Sequence, residues 1–265
     1  MTRGGRRALF GACLLAAASA GTVAAATWRE EFSAGSLDPQ RWERTKDGDF
    51  RIQSAEVVAS AAGSGYRLRL LADTVGTRDD TVKHVGVASR CALPVGSDAR
   101  LRVRVDWGPP ANGSYLAAAI VISPHSTTGD PQATDDWLSI GYVGVPPGHN
   151  ARLLVAARAG GITRTLFTEG WPDRDRQGRP VARAEIEVAW RGPSLEIREN
   201  GRLVLAAAAA EAPFKAAHVY LQLSSHSNYP ARAVYFEDLR WRSGGDDSPV
   251  LGLPSLPDCG GTSLP

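Results

Sequence analysis

Histidine occurs five times and cysteine three times in 265 residues, and neither is spaced as a metal ligand set. His84, His125 and His149 are scattered through segments read as loops, so no zinc site is proposed. Charge of one sign is equally scarce. The formal net charge is +2, which gives no reason to expect nucleic acid or an anionic membrane as partner. Long apolar runs are missing outside the first residues, which leaves nothing to insert in a membrane once those are removed. Helical periodicity is thin as well. Ala206–Ala212 alone has a helix-forming composition, enough for one or two turns. No internal repeat is found.

The first 26 residues read as an export signal. Arg3, Arg6 and Arg7 form a basic start, Ala8–Ala20 an apolar core, and Ala24-Ala25-Ala26 a small-residue cleavage site before Thr27. Removing this leader takes away three arginines and no acid, so the formal charge falls from +2 to −1. The expected organisation is a signal peptide over 1–26, one domain over 27–242 and a Gly/Pro-rich tail over 243–265. Secretion or a periplasmic location follows, and an oxidising compartment would let Cys91 and Cys259 form a disulfide that ties the tail to the body.

What is present is alternation. Tyr66, Leu68 and Leu70 alternate with Arg67 and Arg69. Leu101, Val103, Val105 and Trp107 alternate with Arg102, Arg104 and Asp106. Ile186, Val188 and Trp190 alternate with Glu185, Glu187 and Ala189. Period two marks strands with one buried and one wet face. The runs 115–122 and 151–157 are more continuously apolar and suit strands covered on both sides. Asn200-Gly201 predicts a tight hairpin turn. On 218–226, Val219, Leu221 and Leu223 share one face, and His218, Tyr220, Gln222 and Ser224 the other. Long loops are expected over 73–83, 123–134, 146–150 and 168–180. The fold class is all-β, a two-sheet antiparallel sandwich, with Phe32, Trp107, Trp190 and Trp241 in its core.

Several blocks in order resemble the bacterial laminarinase and lichenase-type glycoside hydrolases of family 16. They are Trp28-Arg29-Glu30-Glu31-Phe32, Leu37-Asp38-Pro39 with Trp42, Val85–Arg90 with Leu101–Trp107, Glu187–Trp190 with Asn200-Gly201-Arg202-Leu203-Val204, and Val234–Trp241. The resemblance implies a concanavalin-like jelly roll. It also implies an active strand carrying Glu-x-Asp-x-x-Glu, whose three positions fall on Asp136, Leu138 and Gly141 in Asp136-Trp137-Leu138-Ser139-Ile140-Gly141-Tyr142. Retaining hydrolysis needs two carboxyl groups about 5–5.5 Å apart. Leucine and glycine supply neither, so hydrolysis by the family's route is not expected.

The expected activity is lectin-like, non-hydrolytic binding of a poly- or oligosaccharide. The candidate binding residues are Asp136, Trp137, Tyr142, Trp171, Tyr220, Gln222 and His226, since sugar faces pack on aromatic rings while polar groups fix hydroxyls. Trp137 and Tyr142 can face either core or groove, and Trp171 is either an exposed platform or a loop anchor. The enzyme alternative is a diverged hydrolase or a polysaccharide lyase using Asp136, or His226 with Tyr229, and Arg102, Arg104 or Gln222 to neutralise a uronate. A non-catalytic envelope protein is the third reading. The resemblance further implies a structural calcium at Asp238, with Glu31 as second ligand.

Overall fold

The computed structural model describes residues 26–32, 35–60, 65–77, 81–107, 116–143, 152–169 and 183–244. The alternating segments form strands. Among the described residues these are β1 (Ala26–Glu30), β2 (Trp42–Asp47), β3 (Ile52–Ala59), β4 (Tyr66–Asp73), β5 (Lys83–Ser89), β6 (Leu93–Pro94), β7 (Arg100–Asp106) and β8 (Leu116–Ser123). They continue with β9 (Trp137–Val143), β10 (Arg152–Ala159), β11 (Ile162–Thr168), β12 (Arg183–Arg191), β13 (Ser194–Glu199), β14 (Arg202–Ala208), β15 (Ala216–Ser225) and β16 (Arg232–Ser243).

Two sheets result. Sheet A has the order β14-β13-β12-β7-β16-β4-β3, with β1 also on β16. Sheet B has the order β11-β10-β9-β8-β15-β5-β2, with β6 also on β15. The pairings are antiparallel. This is the expected sandwich. Turn chemistry fits it: Asn200 and Gly201 take φ of 49° and 79° between β13 and β14, the left-handed pair a two-residue hairpin turn requires.

The core lies between the sheets. Leu68, Leu70, Leu101, Val103, Val105, Ile186 and Val188 of sheet A meet Ile120, Ile122, Leu138, Ile140, Val219, Leu221 and Leu223 of sheet B, all fully buried. Burying each such side chain stabilises by roughly 1.5–3 kcal/mol. Trp107 stacks on Tyr142 with ring centroids 4.0 Å apart. Phe32, Trp107, Trp190 and Trp241 are buried as expected.

The N-terminal block closes one end through Glu30. Its carboxylate accepts from the Phe32 amide at 2.7 Å and the Trp42 indole at 3.0 Å, and pairs with Arg41 at 3.1 Å. A buried carboxylate is tolerable only with such partners.

Three local expectations change. Ala206–Ala208 completes β14 opposite Ser194–Glu196, and the following 3₁₀ turn is confined to Ala209–Glu211. Pairing with β13 overrides the helix preference of alanine there. His84 belongs to β5 rather than to a loop. The last strand runs through Ser243, one residue into the expected tail. Residues 1–25, Cys259, His149 and Trp171 lie outside the described residues.

Candidate functional site

Strand β9 alternates cleanly. Leu138, Ile140 and Tyr142 point into the core, so Trp137, Ser139 and Gly141 occupy the outer face of sheet B. The expected positions 136, 138 and 141 therefore do not share a face. Leu138 is part of the inter-sheet packing, and the outer face of β9 carries no carboxylate. A one-residue slip moves every side chain to the opposite face, and that slip separates the two registers.

Above this face runs a strap, residues 124–136, joining β8 to β9. The Tyr220 hydroxyl donates to the His125 carbonyl at 2.6 Å and accepts from the Thr127 amide at 3.0 Å. Burial pushes that hydroxyl above its ordinary pKa, which keeps it protonated as a donor. The Trp137 indole donates to the Gln132 carbonyl at 2.9 Å. At the far side the Lys46 amide of β2 donates to the Thr128 carbonyl at 2.7 Å. The strap thus crosses β8, β15 and β5 on its way to β2. Beneath it Ala88, Ala119, Val121, Trp137 and Tyr220 form a second buried apolar cluster.

Asp130 fastens the middle of the strap. Its Oδ1 accepts from the Gln132 amide at 3.0 Å and the Gln222 carboxamide at 3.2 Å. Its Oδ2 lies 3.4 Å from His84 Nε2. On the other side of that ring, His84 Nδ1 is 2.9 Å from the Ser224 hydroxyl. Burial holds the His84 pKa below the ordinary imidazole range, against the opposing pull of Asp130 and Asp47.

Beside the strap, where it leaves the face uncovered, lies a cavity of about 270 Å³. Ala117, Ala119, Ser139, Gly141, Val143, Leu154 and Ala156 line its apolar and hydroxyl parts, and His84, Asp130, Gln132 and Ser224 supply polar groups. Larger openings of about 470 and 520 Å³ exist on the outer face of sheet A. Their charged linings pair mostly with one another, for example Arg67 with Asp106 at 3.2 Å and Arg240 with Asp238 at 2.8 Å. The smaller cavity is bordered by Ser139, Gly141 and Val143 of β9.

The predicted site residues are distributed as follows. Asp136 stands at the entrance to β9, accepting from the Gly160 amide at 2.8 Å and facing His125 at 3.5 Å. Trp137, Tyr220 and Gln222 are on the outer face but nearly fully covered, so they support the strap rather than present surfaces to a sugar. Tyr142 is in the core, its hydroxyl 2.6 Å from Glu199, which corrects its assignment to a groove. His226 and Tyr229 follow β15, where their carbonyls both accept from Thr74. Arg102 and Arg104 lie on the outer face of sheet A, paired with Glu187 at 2.9 Å and Glu185 at 3.6 Å. Of the three candidates for neutralising a uronate, Arg102 and Arg104 therefore lie on sheet A and Gln222 on sheet B.

The calcium expectation meets the wrong neighbours. Asp238 takes both donors of Arg240 at 2.8 and 2.9 Å, with Arg104 at 3.6 Å and Arg29 at 3.9 Å. Glu31 is paired with Arg29. Three guanidinium groups around one carboxylate do not fit a hard cation. Among the described residues no cluster of three or more His, Cys, Asp and Glu side chains could hold a metal.

Sequence reasoning missed His84, Asp130, Gln132, Ser139 and the strap. The parity of β15 had placed Ser224 correctly on the polar face. The partners of Ser224 come from β5 and from the strap, and only the sheet order brings them together.

No known family profile and no curated relative matches the chain. Solved structures do. The β-glucanase of Bacillus licheniformis superposes with a TM-score of 0.54 at 11% identity, covering 82% of this chain and 97% of that one. The catalytic domain of an endo-1,3-β-glucanase (laminarinase) from Thermotoga petrophila gives 0.52 at 13%, covering 83% and 97%. The globular domain of T. cruzi calreticulin gives 0.55 at 15%, covering 83% and 88%. The architecture is the jelly roll of laminarinase and lichenase-type enzymes, as the resemblance implied.

Proposed function

We propose that this chain is a secreted glycan-binding protein that leaves glycosidic bonds intact and whose ligand enters the cavity beside the strap. The observation that carries the reading is the outer face of β9. It presents Trp137, Ser139 and Gly141, none of which can serve in the carboxylate pair of a retaining hydrolase. Removing acid and base while keeping the fold leaves recognition as the task. A cavity of about 270 Å³ is near the lower end of small-molecule sites, roughly 300–1,000 Å³. It suits one terminal or branching sugar rather than a long run of chain. Its hydroxyl, imidazole, carboxylate and carboxamide groups match the donors and acceptors of a sugar. The glucanase neighbours make β-1,3- and mixed β-1,3-1,4-glucans the first glycans to try.

The test is a glycan array followed by calorimetry on the chain beginning at Thr27. Binding abolished by Gly141→Trp, which fills the cavity, supports the reading. Release of reducing ends from any bound glycan would overturn the claim that glycosidic bonds stay intact. The proposal includes export and a Cys91–Cys259 bridge, for which non-reducing peptide mapping of the exported protein should recover one linked peptide pair.

A further inference from the structure

A serine, an imidazole and a carboxylate stand in line on the outer face of sheet B. Ser224 and His84 are directly opposed across β15 and β5. The Ser224 hydroxyl is 2.9 Å from His84 Nδ1, and His84 Nε2 is 3.4 Å from Asp130 Oδ2. Two donors hold the other carboxylate oxygen, the Gln132 amide at 3.0 Å and the Gln222 carboxamide at 3.2 Å, so the carboxylate cannot turn freely.

In the tautomer with its proton on Nε2, His84 turns that proton toward Asp130, a carboxylate that can only accept. Nδ1 is then bare, and the bond to Ser224 runs from the hydroxyl to the ring. That is the arrangement a general base needs in order to activate a hydroxyl. Burial adds to it, because it favours the neutral imidazole at neutral pH. Asp47, the cross-strand partner of His84 on β2, pulls the other way. All three members of the line border the same cavity, as does Gln132.

We propose that Ser224 is an acyl-accepting nucleophile, with His84 as its base and Asp130 as the orienting carboxylate, acting on a small O-acyl ester carried by a sugar. The sugar as acyl carrier rests on the glycan reading above, whereas the nucleophile does not. Ser224 Oγ bonds to the ester carbonyl carbon while its proton passes to His84 Nδ1. The Gln132 carboxamide donates to the oxyanion that develops. Collapse breaks the bond to the sugar oxygen, which leaves with the proton from Nδ1. Water then attacks the acyl-serine and gives its proton to Nδ1, and Ser224 recovers that proton as the carboxylic acid departs. The balance is one ester and one water to one alcohol and one acid. The floor of Ala117, Ala119 and Gly141 leaves room for a group the size of acetyl.

The experiment uses the full chain from Thr27, diisopropyl fluorophosphate as a probe and p-nitrophenyl acetate as an ester. A single phosphoryl adduct on the peptide containing Ser224 is expected, with ester turnover. Both should disappear in Ser224→Ala and slow by about 10²–10⁴-fold in His84→Gln. The adduct map on the unsubstituted chain decides the matter even if a variant does not fold. No adduct after prolonged exposure, an adduct on another residue, or unchanged turnover in a folded Ser224→Ala would each overturn the proposal. A Ser224 adduct without any glycan binding supports the nucleophile and retires the sugar as carrier. Glycan binding without an adduct sinks the nucleophile and leaves the binding reading standing.

Discussion

The two outer faces of this sandwich solve the same problem in opposite ways. On sheet A, Arg100, Arg102 and Arg104 of β7 face Glu185 and Glu187 of β12 and Asp238 of β16 at 2.9–3.7 Å. Several of these side chains remain substantially exposed, Arg104 at 56%. Charge alone keeps that face wet, and exposed pairs of this kind stabilise by only about 0–1 kcal/mol. On sheet B the strap buries an apolar cluster and a polar chain together. Burial makes every donor and acceptor there costly to leave unpaired, so positions are fixed rather than averaged. A face held by many interchangeable ion pairs tolerates change, whereas one held by a few enclosed bonds can define a site.

The largest expected contrast is between Trp137→Ala and Arg102→Ala. Trp137 is 5% exposed beneath the strap, so its loss should cost about 3–5 kcal/mol. The exposed ion pairs of Arg102 should be worth about 0–1 kcal/mol. Urea unfolding of both variants measures this, and equal losses would erase the distinction between the faces. Next comes Asp130→Asn, which weakens the fastening of the strap by about 1–3 kcal/mol. Amide exchange should quicken across 124–136 while β12 stays protected.

Smaller still is the response to acid. Burial lowers the His84 pKa in the folded chain, so below the ordinary imidazole value of about 6.5 the unfolded chain takes up its proton first. The contribution of neutral His84 is fully present above that pH and is lost as pH falls through the folded value. Stability measured from pH 7 downward should therefore fall more steeply in the wild type than in His84→Gln. The smallest effect is the Arg102–Glu187 coupling. A double-mutant cycle should give about 0.2–1 kcal/mol, shrinking in high salt.

The fold was legible because β4, β7 and β12 alternate strictly and because Asn200-Gly201 fits one kind of turn. The site was less so. In Trp137-Leu138-Ser139-Ile140-Gly141-Tyr142 both faces are uncharged and one is covered by the strap, so parity alone does not say which looks inward. His84 sits one residue inside β5, after a polar stretch that reads as loop. The strap has no periodicity of its own. Its meaning comes from Lys46, His84, Trp137, Tyr220 and Gln222, which the sheet order assembles from distant parts of the chain.

The bond from Lys46 to the Thr128 carbonyl carries a further consequence. β2 is the last strand in the order of sheet B, and an edge strand with free amides is a template for pairing with another chain. The strap occupies one of those amides while it covers the apolar cluster. If it lifts, a sticky edge and a greasy patch are uncovered in one motion. An uncovered β2 would then be open to pairing with another chain, and the bond that occupies its amide belongs to the same strap that borders the cavity.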